Sequence, residues 1–116
     1  MKRIYSDYLN DILEAITDIE SFIRDVSYEQ FKDDRLRRNA VIRSLEIIGE
    51  SVKSIPEEIK NRYSEIPWKR MIGMRDKLIH AYFGVDYEAV WVVVTQRLPE
   101  IKPVIQRIIA ETDTHE

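Results

Sequence analysis

The sequence predicts an all-α antiparallel bundle of about five helices, and three observations carry that expectation. Apolar residues recur at three- and four-residue spacing over long stretches, the signature of helices with one buried face. Only three glycines and four prolines occur among 116 residues, too few for a chain rich in tight turns. Val92-Val93-Val94 is the one run with strand character, and no second such run exists to pair with it.

The elements follow in order. Ser6 is placed to cap a first helix with Asp7 in its first turn. Tyr8, Leu9, Ile12, Leu13, Ile16, Ile19, Phe22 and Ile23 then mark its buried face to about Asp25, while Asn10, Asp11, Glu14, Thr17, Asp18 and Ser21 mark the wet one. Tyr28 to Asp33 reads as a short helix or turn. A long helix follows from about Asp34 to Lys53, with Leu36, Ala40, Val41, Leu45, Ile48 and Val52 inward. Gly49 in its interior costs about 1 kcal/mol against alanine, which predicts a tight helix crossing there. Arg35, Arg37, Arg38 and Arg43 read as a solvated face pairing with Asp33, Asp34 and Glu46, with a phosphate-binding patch as the alternative.

Ser54-Ile55-Pro56-Glu57 has the spacing of a capping box and opens a short helix to about Tyr63. Pro67 starts the next helix, Gly84 stops it, and Asp86 caps a helix over the β-branched stretch from Tyr87 to Thr95. Pro99 and Pro103 break or kink the pattern before a last helix through Ile101, Val104, Ile105, Ile108 and Ile109. Residues 1–111 are expected to form one helical domain and residues 112–116 a frayed tail.

Composition removes several classes of function. Charged residues make up 34% of the chain and hydrophobic ones 44%, the balance of a soluble globular domain. With no cysteine there is neither a disulfide framework nor a thiolate metal site. The N-terminus turns polar before any apolar run develops, and the longest such run, Ala89 to Val94, is too short to span a bilayer, so a cytoplasmic protein is expected. A net charge of −3 argues against general coating of nucleic acid while leaving room for a local basic groove.

The informative stretch is Met74-Arg75-Asp76-Lys77-Leu78-Ile79-His80-Ala81-Tyr82-Phe83-Gly84. Wound at about 100° per residue, it puts Trp68, Met71, Ile72, Leu78, Ile79 and Tyr82 on one stripe with Arg75 in its middle. An arginine keeps its charge, so such a face meets an anion or lines a wet groove between subunits. His80 lies one turn above Asp76, whose carboxylate is placed to accept from the imidazole, fixing its tautomer and favouring its protonated form. Metal ligation is not indicated, because His80 has only Asp76 at helical ligand spacing and His115 stands in the tail. Neither a glycine-rich phosphate loop nor a serine-nucleophile signature occurs.

What remains is chemistry that needs one acid–base group and one fixed cation. RNA strand transfer fits: the ribose 2′-hydroxyl attacks the adjacent phosphorus, a histidine moves protons, and a guanidinium holds the phosphorane's charge without a metal or cofactor. On spacing alone, purely structural roles weigh more heavily, with His80 hydrogen-bonded at a helix end and Arg75 in an ion pair.

Arg75-Asp76-Lys77-Leu78-Ile79-His80-Ala81-Tyr82 resembles the R-x4-H-x-Y motif of the HEPN superfamily in its HepT-like toxin branch. Ser44 to Glu50, Pro67 to Met74, and Gly84-Val85-Asp86 with Trp91 following resemble the same branch, and the likeness runs from Tyr5 to Ile109. The resemblance implies a five-helix homodimer whose motif helices face one cleft. It further implies a metal-independent endoribonuclease toxin that cuts RNA such as tRNA or mRNA and is partnered by an MNT-type nucleotidyltransferase antitoxin. By the same resemblance Arg75 holds the scissile phosphate, His80 is the acid/base, and Asp76 fills a polar position that is often asparagine. Tyr82 matches the tyrosine that the partner modifies with AMP in some pairs. Two other readings stand beside the toxin: a catalytically silent module that binds nucleotide, RNA or the antitoxin, and a plain helical dimerisation domain.

Overall fold

The computed structural model describes residues 4–81 and 84–115, residues 113–115 by their backbone alone, and it is an all-α bundle with no strand among the described residues. Helix α1 spans Tyr5–Ile23, α2 Tyr28–Asp33, α3 Arg35–Lys53, α4 Glu57–Arg62 and α5 Trp68–Ile79. The chain then runs through α6, Tyr87–Val92, a π-helical turn over Val93–Arg97, and α7, Leu98–His115. Helix α3 packs on both α1 and α5, and α7 packs on α1. Arg37 at the start of α3 reaches the Phe22 carbonyl at the end of α1, and Lys102 early in α7 pairs with Glu20 late in α1 at 2.6 Å. Both pairs of helices are therefore antiparallel.

The expected apolar stripes build the core. Leu9, Ile12, Ile16 and Ile19 of α1 meet Val41, Leu45, Ile48 and Val52 of α3, with Ile105 and Ile108 of α7 closing one cluster. Phe31 of α2 is fully buried and lies 5.1 Å from the Trp91 ring and 6.3 Å, edge-on, from Tyr87, so α2 clasps α6 through aromatic contacts. The Trp68 indole donates 3.1 Å bonds to the Lys60 and Tyr63 carbonyls, tying the end of α4 to the start of α5. No helix among the described residues is long and apolar enough to cross a membrane.

Caps divide into those the structure keeps and those it moves. Asp86 accepts from the Ala89 amide at 3.1 Å and caps as expected, and Asp34, expected only as a partner for the arginines, also caps α3 by accepting from the Arg37 amide at 3.0 Å. Ser27, which the sequence did not single out, caps α2 in a box with Gln30. Ser6 does not cap: α1 begins one residue earlier, Ser6 is buried within it, and Asp7 accepts from the Ile4 amide at 3.1 Å. Ser54 terminates α3 and makes no box with Glu57; the α4 N-cap is Pro56. Leu36, expected inward, is 83% exposed, because the first turn of α3 projects beyond the core.

Two breaks also fall elsewhere. Helix α5 stops at Ile79, with His80 as its C-cap, ahead of Gly84, whose φ of +114° shapes the loop that follows. Pro99 and Pro103 leave the last rod continuous. Pro99 lacks an N–H, and its ring crowds the carbonyl four residues back, that of Thr95; the π turn over Val93–Arg97 widens the helix at that carbonyl. The rod is helical to His115, and Thr112 is buried; Glu116 lies outside the described residues.

The tight crossing expected at Gly49 is present. A Cβ built there would lie 2.2 Å from the Arg75 Cβ and 3.1 Å from the Met71 carbonyl oxygen, so α5 rests directly on the α3 backbone. Gly49→Ala gains about 1 kcal/mol of helix propensity but forces the helices apart at a cost of about 1–3 kcal/mol. Net destabilisation is expected in urea unfolding, whereas Gly73→Ala, with nothing within 4 Å, is expected to stabilise. A stabilised Gly49→Ala would contradict the close approach.

Candidate functional site

The window at Gly49 decides where Arg75 goes. Its stem lies across the α3 backbone and its side chain is only 21% exposed, while the head emerges among charges. Nη1 donates to the Asp76 carboxylate at 3.0 Å, and Nη2 faces Glu50 at 3.8 Å. Nε is buried and has no hydrogen-bond partner among the described residues. Asp76 also accepts from Lys53 at 3.2 Å, and Glu50 also faces Arg43 at 3.8 Å. Charges thus alternate along Arg43, Glu50, Arg75, Asp76 and Lys53. The hydrogen bond from Arg75, then that from Lys53, holds the Asp76 carboxyl below the usual aspartate range.

His80 stands at the last turn of the same helix. Its Nδ1 lies 2.8 Å from the Asp76 backbone carbonyl, and its own amide donates to that oxygen at 3.3 Å. A carbonyl can only accept, so Nδ1 carries the proton and the neutral ring keeps its lone pair on Nε2. The expected residue pair is right and the acceptor is corrected. The imidazole shares the carbonyl of Asp76 with the His80 amide, while the carboxylate turns to Arg75 and Lys53. Both structural roles weighed from spacing are therefore realised: an ion-paired Arg75 and a His80 bonded at a helix end. Tyr82 lies outside the described residues.

Lys53 and Glu50 belong to this cluster and went unassigned from sequence. The signal was available, since Lys53 is one turn beyond Gly49 and shares its face towards α5. The arginines at the start of α3 mostly serve the solvated-face reading. Arg37 pairs with Asp34 at 3.2 Å and Arg43 with Glu46 at 3.8 Å, while Arg38 stacks over the Tyr87 ring at 4.7 Å.

Residues 12–108 match the profile of the ribonuclease HepT-like family. The chain belongs to that family. A Thermococcus cleftensis protein named "Probable ribonuclease HepT" is 50% identical over 108 residues, covering 93% of this chain and 98% of its own. A candidate RNase of Methanocaldococcus jannaschii is 47% identical over 112 residues, covering 97% of each chain. Another from Caldanaerobacter subterraneus is 41% identical over 102 residues, covering 88% of this chain and 91% of its own. No solved structure matches the chain. The matched span contains Gly49, Arg75 and His80.

The Asp76 geometry sets a pH dependence. A carboxyl whose folded pKa is depressed contributes stability above its unfolded value, here 3.8, and loses it as pH falls through the folded value. Asp76→Asn is therefore expected to be less stable than wild type at neutral pH and to lose less stability on acidification below about pH 4. Parallel urea titrations of the two proteins check this; identical acid profiles would count against it.

Proposed function

We propose that this chain is a metal-independent endoribonuclease acting as a homodimer, the toxin of a toxin–antitoxin pair with an MNT-type nucleotidyltransferase as antitoxin. The observation that carries the reading is a His80 whose Nδ1 is held by the Asp76 carbonyl, five residues beyond an arginine whose stem is clamped over Gly49. In the reaction the ribose 2′-oxygen bonds to phosphorus as the bond from phosphorus to the 5′-oxygen breaks, leaving a 2′,3′-cyclic phosphate and a 5′-hydroxyl. Nε2 of His80 takes the 2′-hydroxyl proton, and a protonated imidazole returns one to the leaving oxygen. Two His80 rings facing one cleft in a homodimer supply both tasks. Arg75 holds the charge on the phosphorane through its planar fork, and Asp76 and Glu50 keep that fork oriented until a phosphate displaces them. Tyr82 follows His80 closely enough in sequence for AMP on its oxygen to put bulk and negative charge at the cleft and block RNA.

A second reading has one observation in its favour. Arg75 already carries two carboxylate partners, as it would in a silent module that binds RNA, nucleotide or the antitoxin without turnover.

Cleavage of tRNA and of a defined RNA oligonucleotide in EDTA separates the two. Wild type is expected to release 2′,3′-cyclic phosphate ends, with His80→Ala and Arg75→Ala each slower by about 100-fold or more while retaining wild-type helicity. Cleavage that survives in both variants would remove these residues from the site. Salt-dependent RNA binding without product would support the silent module.

A further inference from the structure

Helix α5 packs chiefly on α3 and α7 on α1, which leaves an open groove of about 430 Å³ between α5 and the start of α7. Its floor is apolar, made by Leu45 and Ile48 of α3, Met71 of α5, and Leu98 and Ile101 of α7. Its rim carries Arg70, Lys77 and Arg97, all exposed, and among the described residues none of the three makes an ion pair. No carboxylate lines it; the first acids, Glu65 and Glu100, stand in a smaller recess of about 250 Å³ that continues past Arg70 and Arg97. The π turn brings Val93 and Arg97 into one wall, and Gly73 leaves the other wall open.

We propose that this groove docks an acidic amphipathic helix from a partner protein. Three features favour that occupant. The floor offers apolar burial and includes Met71 beside the half-buried Met74, side chains that adapt to varied apolar anchors. The rim offers positive charge with no internal carboxylate to neutralise it, on a protein whose net charge is −3. The spacing is helical: Arg70 and Lys77 lie two turns apart on α5, about 10 Å along the axis, and meet carboxylates at i and i+7 of a helix lying alongside.

Single-stranded RNA suits the groove less well, since no aromatic ring lines it to stack a base and no amide or hydroxyl side chain lines it to read a base edge. A second copy of the chain suits it no better. Its acidic helix face, Asp11, Glu14 and Asp18 on α1, belongs to a helix whose apolar side is already in the core. The groove shares α5 with the Arg75–His80 cluster but uses none of its residues, so the proposal stands or falls apart from the catalytic assignment.

The chain holds three methionines, so methyl-labelled methionine gives reporters at Met71 and Met74. The probes are a helical peptide about four turns long with leucine anchors flanked by glutamates, its lysine-for-glutamate counterpart, and a single-stranded RNA oligonucleotide. The glutamate peptide is expected to shift both methyl signals saturably, with the lysine peptide about tenfold weaker or more. In the Lys77→Glu/Arg97→Glu double variant, whose changes are both at exposed positions, the preference between the peptides is expected to reverse. Failure of the glutamate peptide to bind, equal binding of the two peptides, or a double variant that binds like wild type would overturn the proposal. So would RNA that displaces the peptide while moving the same methyls, which would make the groove a nucleic-acid track.

Discussion

The contact on which the site depends is the backbone-to-stem packing of α5 on α3 at Gly49. With a side chain at that position, α5 would have to lift, and Arg75 and Asp76 would lift with it. Because Gly49 is bare, the Arg75 stem is trapped between two helices and only its head retains freedom. Preorganisation of this kind comes from packing, which is dense and stiff, rather than from the ion pairs around the head. The same crossing brings Glu50 and Lys53, neighbours of Gly49 on α3, against the charged groups of α5. One missing Cβ thus organises the geometry of five charged side chains.

The ion pairs themselves are soft, and that suits a phosphate site. Asp76, Lys53 and Glu50 are each close to half exposed, and exposed pairs contribute about 0–1 kcal/mol apiece. Hydrogen bonds between a guanidinium and a dianionic or monoanionic phosphate are charge-assisted and frequently bidentate, worth about 1.5–3 kcal/mol. A phosphate brought to Arg75 would therefore displace its carboxylates at small cost. In its absence the two carboxylates screen the guanidinium head.

Much of this was legible in the residues, and the misses share a cause. Periodicity located the long helices because burial repeats at the helical period whatever the tertiary contacts, and Asp86 caps as read because it stands where a loop turns into a helix. Ser6 and Ser54 have equally good capping chemistry, but the chain is already helical before Ser6 and still finishing α3 at Ser54. Spacing records which side chains can meet, not where the backbone changes direction. Leu36 fails for a related reason, since an apolar residue in a projecting first turn has no neighbour to bury it. Asp76 and His80 were correctly paired by their one-turn separation. The acceptor was missed because spacing names the residue and not the atom: Nδ1 lies 2.8 Å from the Asp76 carbonyl, while the carboxylate bonds Arg75 and Lys53.

Helix α5 carries two surfaces with different demands. Towards α3 it must be rigid, because a small displacement of Arg75 or His80 would misplace charge relative to a reacting phosphate. Towards the groove it is loosely built, with Gly73 at its centre, Met74 on its side, and little packing between it and α7. A helix face without a packed neighbour yields more readily than one buried on all sides, so α5 is held on its α3 side and open on its groove side. Anything bound in the groove would add the missing neighbour and press α5 onto α3, the direction that tightens the Gly49 crossing. Any occupant would therefore be coupled to the Arg75–His80 cluster through the helix they share, without touching either residue.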